Sequence, residues 1–242
     1  MPVSYRIEIA VTDYATAKAA AAGGADRIEL CCALSEGGIT PSFGLIKQCR
    51  QDITSPIFPI IRPRAGDFLY SEQEFQIIRR DVLACKELGC DGIVAGFLQQ
   101  DGTIDKRRTG MIRELAYPME MTFHRAFDRA RDPLLAMEEL IELGCERILT
   151  SGQQQTAVEG IELLRQLADI AGSRIIIMPG SGIRPGNIKQ LAEQTGAIEF
   201  HASLRRTTTS PMDYRHPAFK DTDDYVLSAI DKEEVRALRK AL

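Results

Sequence analysis

Tryptophan is missing from the 242 residues and histidine occurs only three times. The first absence excludes no function. The second makes each histidine position informative, because histidine suits proton transfer near neutral pH and metal ligation. Basic residues are not in excess: 30 Lys and Arg stand against 34 Asp and Glu, a net charge of -4. With no basic stripe, nucleic acid is not an expected partner. No apolar run reaches the roughly 18 residues that a membrane-spanning helix needs, so no membrane segment is expected. The opening Met1-Pro2-Val3-Ser4-Tyr5-Arg6 has no basic stretch leading into an apolar one, and no secretory leader is expected. The six cysteines show neither a C-x-x-C pair nor a framework spacing. They read as the reduced thiols of a cytoplasmic protein.

What is there suits one globular domain over residues 1–242. Hydrophobic residues make up 44% and charged residues 26%, enough to bury a sizeable core, and α/β barrels commonly run near 250 residues as one domain. Four segments share one form, a helical stretch, a Gly, a small residue and then a strand: Gly24-Ala25-Asp26-Arg27-Ile28-Glu29-Leu30, Gly89-Cys90-Asp91-Gly92-Ile93-Val94, Gly144-Cys145-Glu146-Arg147-Ile148-Leu149 and Gly196-Ala197-Ile198-Glu199-Phe200. Their intervals each suit two βα units of about 30 residues. The even strands therefore begin near Asp26, Asp91, Glu146 and Ala197. The odd strands fall at Tyr5–Val11, Pro56–Arg62, Glu120–Arg125 and Arg174–Met178.

Helix starts are expected at the capping boxes Ser71-x-x-Glu74 and Thr156-x-x-Glu159. Thr40-Pro41, Asp132-Pro133 and Arg184-Pro185 suggest a proline at the first helical position. Residues 205–226 read as a long irregular connection and 231–242 as the eighth helix. Strand and helix alternating eight times predict a parallel (β/α)8 TIM barrel, with a doubly wound open sheet as the alternative.

Alternate strand residues point to opposite faces. Ile7, Ile9, Ile28, Leu30, Met121, Phe123, Ile198 and Phe200 form the face toward the helices. The other parity is polar: Arg6, Glu8, Arg27, Glu29, Arg62, Thr122, His124, Glu199 and His201. Acids and bases inside a barrel must pair, so Arg6, Arg27 and Glu199 are expected in a salt-bridge layer. Glu8, Glu29, His124 and His201 are acid–base candidates, because active sites of barrels sit at the C-terminal strand ends. Asp128 is a candidate to orient His124 or to bind substrate. His216, in the late connection, is expected at the surface. The seventh strand runs into Gly180-Ser181-Gly182, a turn whose backbone N–H groups can cradle an anion. Arg62 and Arg64 are expected to add positive charge across the mouth.

Longer motifs carry a resemblance. Gly23-Gly24-Ala25-Asp26-Arg27-Ile28-Glu29-Leu30-Cys31 runs into Leu34-Ser35-Glu36-Gly37-Gly38-Ile39-Thr40-Pro41-Ser42, and Ile61-Arg62-Pro63-Arg64-Ala65-Gly66-Asp67-Phe68 and Thr122-Phe123-His124-Arg125-Ala126-Phe127-Asp128 follow. With Gly180-Ser181-Gly182-Ile183 and Phe200-His201, these resemble the CutC family over residues 5–216. The resemblance implies a cytosolic barrel linked to copper homeostasis, with copper as its ion.

Cytosolic copper is Cu(I), which favours thiolates and thioethers. Cys31 shares the inward parity of Glu29 and is the metal-ligand candidate, with Cys32 or a second subunit as the source of further soft partners. Cys49, Cys85, Cys90 and Cys145 read as packing residues. Three functions stay open: copper binding through Cys31, an enzyme acting on a small anionic metabolite, and a plain interaction module. A variant of the enzyme reading has Glu29, His124 and His201 hold a divalent ion. The long connection before the last helix is a candidate surface for a homodimer.

Overall fold

The computed structural model describes residues 4–219 and 223–242. Along it run β1 (Arg6–Val11), α1 (Tyr14–Ala22), β2 (Arg27–Leu30), α2 (Phe43–Asp52), β3 (Ile57–Pro59), α3 (Glu72–Glu87), β4 (Gly92–Ala95) and α4 (Lys106–Ala116). β5 (Glu120–Phe123), α5 (Pro133–Glu142), β6 (Arg147–Thr150), α6 (Ile161–Ala171), β7 (Ile176–Pro179), α7 (Ile188–Thr195) and β8 (Glu199–Ala202) follow. A hairpin of β9 (Arg206–Thr209) and β10 (Val226–Ala229) precedes α8 (Lys232–Lys240).

Strands β3-β2-β1-β8 and β4-β5-β6-β7 form two parallel sheets. A parallel bridge between Ile60 and Val94 joins β3 to β4, and the Ile61 N–H donates to the Val94 carbonyl at 2.7 Å. At the other seam β7 adjoins β8: a Cβ added to Gly180 would lie 3.4 Å from the His201 Cβ. The strands thus follow one another in chain order as a (β/α)8 barrel with helices outside. The doubly wound alternative needs a strand order that reverses, and none does.

The repeated segment explains how each pair of units is stitched. Gly24, Gly89, Gly144 and Gly196 adopt φ between 70° and 93°, which ends the helix before them. The small residue that follows donates back into the helix: Ala25 to Ala20, Cys90 to Cys85 and Cys145 to Leu140. Cys90 and Cys145 are therefore the buried apolar contact of a helix end. The acid after them accepts an N–H from the preceding odd strand: Asp26 from Ile7, Asp91 from Ile57 and Glu146 from Met121. Each acid also pairs with a helix arginine, respectively Arg239, Arg50 and Arg113. Ile198 occupies this acid slot in the fourth copy. It lies at the rim ahead of β8 and is 46% exposed, not packed against helices as its parity predicts.

Ser71 and Asp132 cap their helices as expected: Ser71 and Glu74 exchange hydrogen bonds, and Pro133 stands in the first turn after Asp132. Three starts differ. Ser42 caps α2, past Pro41; α7 begins after Asn187, past Pro185; and Thr156 and Glu159 exchange their bonds in a turn ahead of α6. Proline and short polar residues close turns as readily as they open helices, so these signals mark loops between strand and helix. The connection 205–226 is not wholly irregular, because Thr207–Thr209, β-branched and strand-prone, pair antiparallel with Val226–Ser228. Its residues 220–222 lie outside the described residues. The core lies between barrel and helices, where Ile9, Ile28, Leu30, Ile57, Met121, Phe123 and Phe200 are fully buried.

Candidate active site

The inward parity of β1, β2, β6 and β8 brings Glu8, Arg27, Arg147 and Glu199 together, all buried. Arg27 donates to Glu8 and, at 2.8 Å, to Glu199. Arg147 meets Glu199 at 3.2 Å and the half-exposed Glu120 at 2.8 Å. The Phe58 ring faces both guanidiniums, 5.0 Å from Arg27 and 5.4 Å from Arg147, close enough for cation–π attraction. A Cβ on Gly92 would stand 2.3 Å from that ring, so only glycine fits beside it. Arg6, expected in this layer, is exposed at the N-terminal rim. Arg147 takes its place, and it occupies the same slot of the repeat as Arg27.

Within this layer two arginines balance Glu8 and Glu199. Glu29, one pleat nearer the C-terminal end of β2 than Arg27, is left over. It is buried and accepts no hydrogen bond among the described residues; its nearest partner is His201 Nε2 at 3.8 Å. Burial pushes its pKa up to about 7; His201 pulls it down in part and Glu8 adds repulsion. Burial disfavours ionisation of Glu8 too, but Arg27 and the His201 hydrogen bond outweigh it and hold that carboxyl far below its usual range. His201 Nδ1 lies 2.7 Å from Glu8 Oε1. Burial lowers the imidazole pKa, yet Glu29 and Glu8 together raise it above its ordinary value. The result is a fixed carboxylate, an imidazole it orients, and a second carboxyl poised near neutrality.

At the end of β5, His124 Nδ1 accepts the Ala126 N–H at 3.2 Å, which assigns the ring proton to Nε2. That Nε2 is buried without a partner among the described residues. Burial, then Arg62 and Arg129, lower the His124 pKa to about 3, so the ring stays neutral. Its seat is tight: a Cβ on Gly96 would fall 2.5 Å from Nδ1, and the Phe68 ring lies at 4.8 Å.

Glu29, His124 and His201 open into one cavity of about 570 Å³ at the C-terminal strand ends. Arg62, Arg125, Arg129, Arg184 and Arg205 ring it, with Ser181 and Gly182 on its wall. Arg62 donates to the Glu36, Gly38 and Gly66 carbonyls and lies over Phe68. Among the described residues, no carboxylate pairs with Arg62, Arg129, Arg184 or Arg205. Arg125, Arg129, Arg184 and Arg205 were not singled out in the sequence; their one signal is position, each a few residues beyond a strand end.

Other candidates sit elsewhere. Arg64 turns away from the cavity to Glu74 and Asp67, because acids of its own loop and the next helix lie nearer. Asp128 does not touch His124. It accepts from Thr150, Ser151, Gln153 and Arg125, tying together the loops after β5 and β6. Gly180 spends its N–H on the Thr150 carbonyl and is not on the cavity wall.

Glu8, Glu29 and His201 bring ligand atoms within 4.8 Å of one another, and His124 is not in that group. Both oxygens of Glu8 are already engaged, by Arg27 and by His201. A cation there would have to displace a guanidinium, so the arrangement suits protons. The thiols do not fit Cu(I). Cys31 Sγ donates to the Val11 carbonyl at 3.3 Å inside an apolar cluster with Phe58, Ile60 and Val94. Burial, with Glu29 adding repulsion, keeps it protonated. Cys32 is half-buried and pairs through its backbone with Ile39. No cysteine belongs to a group of three ligand atoms among the described residues.

The fold and the site define a (β/α)8 barrel with a carboxyl–imidazole pair beneath an arginine-ringed mouth. The model of the CutC family matches residues 5–206, and the chain belongs to that family. A CutC family protein from Chromobacterium violaceum is 48% identical over 240 residues, covering 98% of this chain and 97% of the relative. The human copper homeostasis protein cutC homolog is 43% identical, covering 97% of this chain and 88% of that protein. A solved CutC structure from Streptococcus agalactiae superposes with a TM-score of 0.79 at 30% identity, covering 82% of this chain and 98% of that one. Phosphoribosylanthranilate isomerase from Thermotoga maritima, at 10% identity and a TM-score of 0.58, covering 98% of this chain and 97% of that one, shares the fold alone.

Proposed function

We propose that this protein serves the copper homeostasis for which its human relative is named, and does so as an enzyme. Its barrel binds a small anionic metabolite and moves a proton on it. The observation that carries this reading is the Glu29 carboxyl: without a hydrogen bond among the described residues, near neutrality, and open to a cavity ringed by five guanidiniums, of which Arg125 alone has a carboxylate partner among those residues. A general acid or base works best with a pKa near the operating pH. Unpaired arginines around a cavity attract and orient an anion. Glu8 keeps His201 oriented, and Arg27 keeps Glu8 ionised. The six free cysteines suit a reducing cytoplasm.

Two titrations test the reading. Inorganic phosphate should bind in the millimolar range or tighter, and Arg205→Ala should weaken it by about tenfold, the size of one charge-assisted hydrogen bond. Cu(I), offered to the reduced protein against a strong chelator, should stay with the chelator in both the parent and Cys31→Ser. Stoichiometric Cu(I) binding that disappears in Cys31→Ser, with no phosphate binding, would replace this reading by direct copper capture.

A further inference from the structure

We propose that the substrate is an anionic carbonyl compound and that the reaction is enolisation. Glu29 takes a proton from the carbon beside the carbonyl, and His124 Nε2–H donates to the carbonyl oxygen as it becomes an enolate. The inference rests on the anion-holding, proton-moving reading of the cavity and names its substrate class.

A buried donor without an acceptor is destabilising, yet the fold builds a seat that holds the His124 Nε2–H in place. The Ala126 N–H fixes the tautomer, Gly96 leaves room for the ring, and Phe68 packs on it. Its Nε2–H belongs to a residue lining the cavity and meets no protein acceptor among the described residues. An acceptor on a ligand satisfies it.

The ring is neutral, held so by burial and by Arg62 and Arg129. A fixed neutral donor stabilises charge that develops on oxygen, and in a buried site it does so without reorganising. Glu29 supplies the complementary group: its carboxylate accepts nothing and lines the same cavity. A base and an oxyanion donor facing one space are the two parts that proton abstraction beside a carbonyl requires.

The step balances without a cofactor. The C–H bond breaks and its proton passes to Glu29. The C–H electron pair forms the new C=C bond, and the C=O π pair moves to the oxygen facing His124. In a hydroxy-carbonyl compound the hydroxyl proton then passes to the former carbonyl oxygen, the electron pair left on the hydroxyl oxygen forms the new C=O bond, and the C=C pair takes the proton back from Glu29 at the former carbonyl carbon, which yields the isomer. Arg184, Arg205, Ser181 and Gly182 lie together on the side of β7 and β8, where the phosphate or carboxylate of such a compound would sit.

The test compares two probes by NMR of the full chain with ¹⁵N-labelled histidine: inorganic phosphate, and 2-phosphoglycolate, which adds a planar carboxylate in place of the enolate. 2-Phosphoglycolate should bind at least about tenfold tighter, as mimics of an enolate do, and should shift the His124 Nε2–H resonance. His124→Gln, whose amide places an N–H near the same point, should keep most of that preference. His124→Phe should reduce the ratio of the two affinities below about threefold. If phosphate binds but 2-phosphoglycolate shows no advantage, or the advantage survives in His124→Phe, the enolisation proposal falls alone. If neither probe binds, the anion-site reading falls and takes this proposal with it.

Discussion

Replacing Glu29 by glutamine should make the protein more stable, and only above a certain pH. The carboxyl sits at about 7 in the folded chain against 4.5 ordinarily, with burial as the leading cause. Between these two values the folded state holds a proton that the unfolded state has released. Stability therefore falls as pH rises from about 4.5 to about 7, and stays at the lower level beyond. Below about 4.5 both states are protonated and the group contributes no difference. The gap corresponds to about 3 kcal/mol above pH 7, a large part of the 5–15 kcal/mol typical of a folded domain.

Glutamine has nearly the same shape and never ionises. Glu29→Gln should thus match the parent near pH 4.5 and exceed it by up to about 3 kcal/mol at pH 8, or roughly 6–12 °C in Tm for a chain of this size. Urea unfolding followed by far-ultraviolet circular dichroism measures this, since the chain has no tryptophan to report by fluorescence. A gain of equal size at both pH values would refute the reasoning. So would a loss of stability at pH 8, which would mean that His201 holds Glu29 as an ordinary ion pair.

Arg147→Met should cost about 3–5 kcal/mol at pH 7, because it strips Glu199 of one of its two guanidiniums and leaves Glu120 unpaired; a loss under about 1 kcal/mol would show that the layer is not a charge-balanced unit. Gly92→Ala should destabilise by about 1–3 kcal/mol through overlap with Phe58, and adding Phe58→Leu should recover part of it in the same urea assay. The β9–β10 hairpin leaves Val226 and Leu227 near half exposed, with Met212 and Tyr214 beside it more exposed still. A second copy is expected to cover them, so light scattering at micromolar concentration should give a dimer mass and Leu227→Asp a monomer; a monomeric parent would retire that expectation.

The barrel was legible because its signals are local and repeated. A Gly, a small residue and an acid before Arg27, Gly92 and Arg147 fix a helix end, a packing contact and a clamp on the neighbouring strand, all within a few residues of sequence. Parity alone put Glu29 inside and Leu30 among the helices. The helix starts at Pro41, Pro185 and Thr156 were misplaced because the same residues close turns. Arg64 was misassigned because sequence cannot show that Glu74 and Asp67 lie nearer than the mouth. Asp128, four residues past His124, is a candidate to orient it or to bind substrate, yet five donors from two loops consume it.

The division between structural and reactive carboxyls is a matter of counting charges in space. Glu8, Glu29 and Glu199 are all inward by parity; strand position sets Glu199 apart in the salt-bridge layer but does not separate Glu8 from Glu29 as acid–base candidates. Inside the barrel they face two arginines, Arg27 and Arg147, so one carboxyl must go without a guanidinium. Arg27 lies low on β2, level with Glu8 across the β1–β2 ladder, where those two residues are register partners. Glu29 comes two residues later on the same strand, above the reach of that pairing and beside His201. The same strand that supplies the base of the layer therefore lifts the surplus acid to the C-terminal end, where the cavity opens. A copper ion drawn to this surplus charge would meet Arg27 behind Glu8 and a ring of arginines in front, whereas an anion would meet attraction at the mouth and a proton donor or acceptor at the floor. On the proposed reading, the charge arrangement suits an anionic ligand and proton chemistry at the site, and a role in copper handling would follow from what the reaction makes or removes.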